Sequence, residues 1–345
     1  MKKTIIFGTG QENEKSKFKE KKFIDIIQFC IEKNILTFDT SDNYLNGKIE
    51  KILGKIFLSS KKKIKIINKF RLYNDINILR KNLEKSLKNL NRDFIDLYMP
   101  HWPTHDYDKQ MLSDFANECI QKKKIKEFGL SNFSLKMIKN FKKIYKKKIS
   151  LQFELNISNY NFYEDLINYI NKNKINSYCY SINKNFPESN QFIKIIQEKY
   201  NLNNYETSIR WISNLKNINP IIRSTNKKNI IKNINLYNIK KNNIKFKKKY
   251  LKKNEITVKY KDIKKIKSES GYIYTNIAEA KKNKFNLHPS PVDISNEIKK
   301  FGLLKPFYFK RYNTKYFSLI SGQARFWAYR LINKRSKKIK GLLIE

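Results

Sequence analysis

Cysteine is scarce, with only Cys30, Cys119 and Cys179 in 345 residues and no paired spacing among them. That excludes a disulfide framework and a zinc ribbon, and it reads as a reducing compartment. Glycine (9) and proline (7) are also few, which leaves little material for long flexible linkers. No apolar run approaches the ~18 residues of a membrane span, and the stretch from Met1 to Gly10 lacks a long apolar core. The expectation is a cytoplasmic chain with no membrane partner. Acidic residues are outnumbered, 30 against 74 Lys and Arg, for a net charge of +44. Such a balance ordinarily points to nucleic acid or an anionic surface. Nearly all the excess is Lys, however, accompanied by abundant Ile and Asn, a bias that an AT-rich coding sequence produces unaided. A nucleic-acid face is clustered and richer in Arg, so nucleic acid is not the favoured partner.

What is present is enough for a sizeable core: 40% hydrophobic and 14% aromatic residues. At ~100–200 residues per domain, the length implies two domains or one barrel with an appendage. Up to about residue 240, short β-rich runs alternate with amphipathic lysine-rich stretches. The spacing predicts eight strands, at 4–7, 36–40, 64–68, 94–99, 125–131, 151–155, 175–180 and 220–223. Helices fit between them at 22–33, 48–58, 76–90, 108–122, 135–146, 163–172, 190–200 with 205–213, and 227–235. Eight βα units imply a closed parallel (β/α)8 barrel over residues 1–240, its active site at the C-terminal strand ends. The span is shorter than the ~250 residues usual for that fold, so its loops are trimmed. Residues 241–254 form a basic linker, and 255–345 a small α+β module. In that module a strand and turn are expected at 255–264, helices at 295–301 and 325–333, strands at 305–311 and 316–320, and a solvated basic stretch at 334–340.

Four residue types with complementary chemistry fall at consecutive strand ends: Asp39 closes the second strand, Tyr44 lies in the loop after it, Lys69 ends the third and His101 follows the fourth. In a barrel these converge on one mouth. A tyrosine is a weak acid at its ordinary pKa of ~10, and a lysine held by a carboxylate is the natural device for tuning it toward proton donation. His101 is informative because only two other histidines exist, His105 and His288, both read as surface residues. Trp102, Trp211 and Phe128 are read as packing, and Cys179 as a core thiol or a lining residue of a cofactor pocket. No metal ligand set is suggested.

Residues 37–54, Thr-Phe-Asp-Thr-Ser-Asp-Asn-Tyr-Leu-Asn-Gly-Lys-Ile-Glu-Lys-Ile-Leu-Gly, resemble the signature of the aldo-keto reductase family. So do residues 93–103, with a histidine after the fourth strand, and residues 125–134, with their Gly-x-Ser-Asn-Phe. The resemblance spans roughly residues 1–240. It implies a tetrad of Asp39, Tyr44, Lys69 and His101, with Tyr44 as the acid in reduction. It likewise implies that Ser131, Asn132 and Gln152 bind a nicotinamide amide, that Tyr180 stacks on the ring, that Arg223 and Ser224 meet a 2′-phosphate, and that Asn233 meets adenine. A fixed cation at that end favours NADPH over NADH. Departures from the family pattern are Asn68 before Lys69, Ile182 and Asn183 after Tyr180 and Ser181, and Asn229 in place of an arginine.

In the tail, residues 297–309 and 316–330 resemble the N-terminal domain of the ParB and sulfiredoxin-like superfamily, in which a Gly-x-x-Arg turn opens a helix and holds phosphate. Gly322 and Arg325 match, whereas Gln323 and Ala324 replace the acidic and basic residues usual there. The tail has no cysteine, which argues against a sulfiredoxin-type reaction. Two readings follow. One is an NADPH-dependent reductase of a small carbonyl substrate, with a sugar or sugar nucleotide among the candidates, carrying a phosphate- or nucleotide-binding module. The other is a catalytically inactive barrel scaffold fused to a nucleotide- or DNA-binding module.

Overall fold

The computed structural model of the protein describes residues 5–10, 18–104, 106–188, 190–238, 255–267, 273–286, 289–333 and 336–344. Thr4, His105, His288, the 241–254 linker and residues 334–335 lie outside the described residues. Eight parallel strands close a barrel in sequence order: β1 Ile6–Gly8, β2 Thr37–Asp39, β3 Lys65–Phe70, β4 Ile95–Pro100, β5 Ile125–Ser131, β6 Ile149–Glu154, β7 Ser177–Tyr180 and β8 Ile218–Ile222. Parallel strands covered on both faces are buried on both faces, which is why they appear in the sequence as short apolar runs rather than alternations. All six residues of β6 are buried, for example.

The outer helices are α1 Glu20–Glu32, α2 Lys48–Leu58, α3 Ile76–Leu90, α4 Lys109–Gln121, α5 Leu135–Ile144, α6 Glu164–Lys172, α7 Gln191–Tyr200, α8 Asn204–Ser213 and α9 Lys227–Asn238. Their ends are set by local chemistry. The Asp75 carboxylate accepts from the backbone N–H of Asn77 (2.8 Å) at the start of α3, and Asp108 accepts from Gln110 (2.8 Å) at the start of α4. With so few glycines, asparagine takes the left-handed positions that close helices and turns: Asn34, Asn91, Asn201 and Asn217 all have positive φ. Gly54 is kept where α2 crosses α3, because a β-carbon there would stand 2.9 Å from the Cα of Leu90.

The tail forms a second sheet of five strands, in the order β10-β12-β11-β13-β9. The strands are β9 Glu255–Lys259, β10 Ile263–Ile266, β11 Tyr308–Arg311, β12 Phe317–Ser321 and β13 Lys338–Leu343, with helices α10 Ile277–Lys281, α11 Pro291–Phe301 and α12 Gln323–Ile332. Its core includes Val258, Phe309, Leu319, Phe326, Trp327 and Ile339. The expectation of a solvated basic stretch at 334–340 is corrected here. Residues Lys338–Leu343 form an inner strand, pairing with β11 on one side and β9 on the other. Ile339 is buried in the core of the sheet while Lys338 and Lys340, on the other face, are exposed, so the lysines decorate one face of a strand rather than marking a loop.

The tail packs on the end of the barrel where the strands finish. Tyr163, just before α6, donates from its hydroxyl to the Leu304 carbonyl (3.0 Å). Asn159, after β6, donates to the Tyr308 hydroxyl (3.2 Å). Phe301, at the end of α11, lies against Tyr107 with ring centroids 6.4 Å apart and joins the barrel's outer core.

Candidate active site

A cavity of about 990 Å³ opens at the C-terminal ends of the barrel strands, at the upper end of the ~300–1,000 Å³ typical of small-molecule sites. Asp39, Tyr44, Lys69 and His101 all line it, together with Gln152, Tyr180 and Arg223. β2 ends on Asp39 and β3 carries Lys69 beside it, so the Lys69 ammonium reaches Asp39 Oδ1 at 2.7 Å with both side chains buried. The other carboxylate oxygen of Asp39 accepts from Gln152 Nε2, also at 2.7 Å. Asp39 is thereby held from two strands, one of them on the far side of the barrel. A buried carboxylate with a bonded cation and an amide donor is fixed in place.

Lys69 Nζ also lies 5.4 Å from the centroid of the Tyr44 ring. The Tyr44 and His101 rings meet edge to face at 5.9 Å. His101 Nδ1 is 3.2 Å from the Ser41 hydroxyl, which in turn donates to the Lys69 carbonyl (3.2 Å). Burial, followed by the charges of Lys69 and Lys305, pushes His101 down to about 2, so the imidazole is neutral at any working pH. Ser41 was not singled out from the sequence, although it sits two residues after Asp39 within the same motif.

The remaining barrel residues form one chain of hydrogen bonds rather than separate contacts. The Tyr180 hydroxyl donates to Asn132 Oδ1 (2.6 Å), and Asn132 Nδ2 donates to Ser131 Oγ (3.1 Å) and to the His101 carbonyl (3.0 Å). Ser131 Oγ donates to Gln152 Oε1 (3.5 Å), which leads back to Asp39. Asn132 adopts a positive φ of 64° at the end of β5, which turns its amide toward His101. Arg223 is exposed at the end of the cavity beyond β8. Ser224 and Asn233 do not line the cavity. Ser224 caps its own turn by accepting from Asn226 N (3.0 Å), and buried Asn233 donates to the Tyr205 hydroxyl (3.1 Å).

Asn68, where the family pattern differs, has a packing role. It donates to buried Glu50 at 2.8 Å while its own carbonyl oxygen accepts from Lys69 N at 2.9 Å, linking α2 to the strand that carries Lys69. Asp42 in the same loop is raised to about 6 by burial and by Glu50. Cys179 is a core thiol, fully buried and pushed well up by burial.

Trp102 corrects the expectation of packing. Its ring is 42% exposed, stacks on His101 at 5.2 Å and lines the cavity. Four further lining residues escaped notice in the sequence: Glu154, Lys184, Lys305 and Tyr308. Lys305 precedes β11 instead of lying in a strand, and its ammonium reaches Glu154 Oε2 at 3.2 Å and stands 4.9 Å from the Trp102 ring centroid. Gly322 and Arg325 line the same cavity, so the tail motif and the barrel tetrad share one space. No metal-holding group of three or more His, Cys, Asp or Glu occurs among the described residues.

The comparisons with known proteins agree with this geometry. The aldo/keto reductase family profile matches residues 4–185, more than half of the chain. Aldo-keto reductase YhdN of Bacillus subtilis is 28% identical over 173 residues, covering 47% of this chain and 52% of its own length. Methylglyoxal reductase YeaE of Escherichia coli is 29% identical over 103 residues, covering 30% of this chain and 36% of its own length. The chain thus spans about half the length, or less, of the curated relatives it matches. Among solved structures, the thermostable aldo-keto reductase Tm1743 aligns over 72% of this chain and 92% of its own, with a TM-score of 0.62 at 19% identity. An aldo-keto reductase of Klebsiella pneumoniae in complex with NADPH aligns over 69% and 91%, with a TM-score of 0.61 at 15% identity. At those identities the likeness concerns the fold. With a family match that takes in β1 to β7 of the barrel and the constellation of Asp39, Tyr44, Lys69 and His101, this chain is a member of the aldo/keto reductase family.

Proposed function

We propose that this protein is an NADPH-dependent oxidoreductase that reduces an aldehyde or ketone to an alcohol. The observation that carries the reading is the buried Lys69–Asp39 pair (2.7 Å) beside Tyr44 and His101 in a single cavity. When bound, NADPH supplies the hydride. The cavity suits it: Gly10 leaves open the space beside Tyr44, where a β-carbon would stand 3.4 Å from the tyrosine ring, and exposed Arg223 offers a cation for a phosphate at the other end. Gln152, which lines the cavity, is assigned to a carboxamide, with fully buried Ser131 and Asn132, which borders the neighbouring cavity, joined to it by hydrogen bonds, and Tyr180 provides a flat face beside it. Ser224, in the turn before α9, and Asn233, within α9, follow Arg223 and are assigned to the same end of the cofactor.

Tyr44 gives its proton to the carbonyl oxygen. Lys69, held by Asp39, stabilises the negative charge the phenol then carries. His101 is neutral and meets the Tyr44 ring edge to face, where its imidazole helps to position the carbonyl.

The substrate is a small carbonyl compound, a class that includes sugars and sugar nucleotides. We divide the chain into a reductase barrel at 1–240, a linker at 241–254 and a tail module at 255–345, acting in a reducing compartment such as the cytoplasm. The likeness of the tail to the ParB and sulfiredoxin-like superfamily, with Gly322 capping α12 and Arg325 in its first turn, supports a phosphate-binding module. Exposed lysines such as Lys21, Lys51, Lys85, Lys139, Lys172 and Lys194 are spread over six different barrel helices, which weighs against a nucleic-acid face.

Titration with NADPH and NADH, followed by quenching of tryptophan fluorescence in the wild type and in Arg223→Ala, tests the reading. Saturable NADPH binding that weakens roughly tenfold or more in the variant is expected from loss of a charge-assisted phosphate contact. No binding of either cofactor would remove the oxidoreductase reading and turn attention to nucleotides as ligands of the tail.

A further inference from the structure

Trp102 stands in the loop after β4, 42% exposed, with its ring stacked on His101 at 5.2 Å and 16°. A half-exposed indole on a loop has several rotamers open to it, and stacking on one small ring selects among them weakly. Its position matters because His101 is one of the four groups at the reacting centre. From the tail, Lys305 meets the same ring, its ammonium 4.9 Å from the Trp102 centroid. A cation that close to an indole is attracted by the ring's quadrupole, more strongly where water is partly excluded. Here it is, since the Lys305 side chain is only 23% exposed.

The segment that carries Lys305 is anchored at successive residues. The Leu304 carbonyl accepts from the Tyr163 hydroxyl (3.0 Å), Phe307 is buried in the core of the tail sheet, and the Tyr308 hydroxyl accepts from Asn159 (3.2 Å). Pro306 stiffens the chain between them. The ammonium itself reaches Glu154 Oε2 at 3.2 Å, and that nearly fully buried carboxylate, shared with Lys184 at 3.6 Å, ends β6. Lys305 is thus tied to a barrel strand end at its head and to both parts of the chain along its backbone. Its charge also reaches the histidine, being among the causes that push His101 down to about 2. The charges that act on Lys305 are Glu154, Arg325 and Lys184, and its contact with Trp102 requires no excess of either sign. Trp102, Lys305 and Arg325 border both the reacting cavity and a neighbouring one of about 720 Å³, which Glu297 also borders. The Trp102 ring therefore stands at the boundary of two spaces, and its orientation decides how far the reacting centre is walled off from the second.

We propose that Lys305 is a positioning residue of the reductase site: reaching in from the tail, it holds the Trp102 ring against His101, so that the wall beside the carbonyl is set by barrel and tail together. The inference rests on the reductase reading and deepens it by giving the tail a part in orienting the substrate. Lys305 acts through Trp102 and not on the reacting atoms.

The test is a double-mutant cycle on the full chain: wild type, Lys305→Met, Trp102→Ala and the double variant, each assayed for NADPH-dependent reduction of butanal. That substrate is neutral, so the loss of a charge does not act on it directly. Each single change is expected to lower kcat/KM about tenfold or more, the cost of a misplaced wall beside the reacting groups. The double variant should stay within about twofold of Trp102→Ala alone, because Lys305 has nothing left to hold. Lys305→Arg, which keeps a cation over the ring, should recover most of the loss. Losses that multiply in the double variant would overturn the inference, as would a Lys305→Met effect that vanishes in a Tyr180→Ala background instead, since Lys305 also lies 5.7 Å from the Tyr180 ring. Acrylamide quenching of fluorescence gives a readout that needs no turnover. Trp211 and Trp327 are each 2% exposed, so Trp102 is the ring a quencher reaches. Quenching should rise in Lys305→Met and not in Lys305→Arg, and equal quenching in wild type and Lys305→Met would overturn the inference. If the wild type reduces no carbonyl compound, the reductase reading falls, and a quenching difference that persists shows that Lys305 fixes Trp102 all the same.

Discussion

The cavity contains two lysine–carboxylate pairs, one built by the barrel and one built jointly with the tail, and they differ in what they hold in place. Asp39 receives Lys69 on one oxygen and Gln152 on the other, each at 2.7 Å. The strands fix all three groups, and the charges cancel. Glu154 is as deeply buried, yet it is divided between two lysines at 3.2 and 3.6 Å, one of which arrives from the tail. The first pair is a preorganised device that holds a cation near Tyr44. The second ties the tail to the barrel mouth, with Lys305 reaching Glu154 across the seam.

Tyr44→Phe attacks the first arrangement most directly. Loss of the acid is expected to lower kcat about 10²- to 10⁴-fold, as judged by NADPH consumption with a carbonyl substrate. Next in size is a paired experiment on stability. Lys69→Met leaves Asp39 buried without its cation and is expected to cost about 3–5 kcal/mol in denaturant unfolding. Lys305→Met leaves Glu154 with Lys184 and is expected to cost about 1 kcal/mol or less. Equal losses in the two variants would break the distinction drawn between the pairs.

Burial, helped by the charges of Lys69 and Lys305, holds His101 neutral, which gives a dependence on pH. Its pKa falls from 6.5 to about 2 on folding. Between those values the unfolded chain binds a proton that the folded chain does not, so stability falls as pH drops below about 6.5. Wild type should therefore lose stability between pH 7 and 4 more steeply than His101→Gln, measured by denaturation midpoints. Parallel losses would contradict a buried, neutral imidazole. The smallest expected effect is at the seam between barrel and tail: Tyr308→Phe removes the hydroxyl shared with Asn159 (3.2 Å) and Glu154 (3.4 Å) and should cost about 0.5–1.5 kcal/mol.

How much of this could be read in the sequence follows the same boundary. Barrel strands are short apolar runs with catalytic groups at fixed offsets, so the reading placed Ile125–Ser131 to the residue and put Asp39, Lys69 and His101 at their strand ends. Asp108 was read as the first helical residue and is instead the capping residue, a difference that only the hydrogen bond from Gln110 reveals. In the tail, charge obscures the strand: Lys338 and Lys340 are exposed on either side of buried Ile339, and such lysines suggest a solvated stretch. Lys305, Glu154 and Lys184 gave no signal, since each is one charged residue in a lysine-rich chain. Their significance arises only when a segment about 150 residues away in sequence folds back over the mouth. Trp102 was missed because an aromatic after a strand more often packs than faces a ligand.

The central claim is that Tyr44, tuned by Lys69 and Asp39, protonates a carbonyl in this cavity, and steady-state NADPH oxidation tests it most directly, measured with a panel of acidic and neutral aldehydes on wild type and Tyr44→Phe. Turnover by the wild type that disappears to within a small residue in Tyr44→Phe, while the variant remains folded by circular dichroism, is the result expected. Equal rates in the two proteins, or no turnover of any aldehyde by a wild type that binds NADPH, would contradict it.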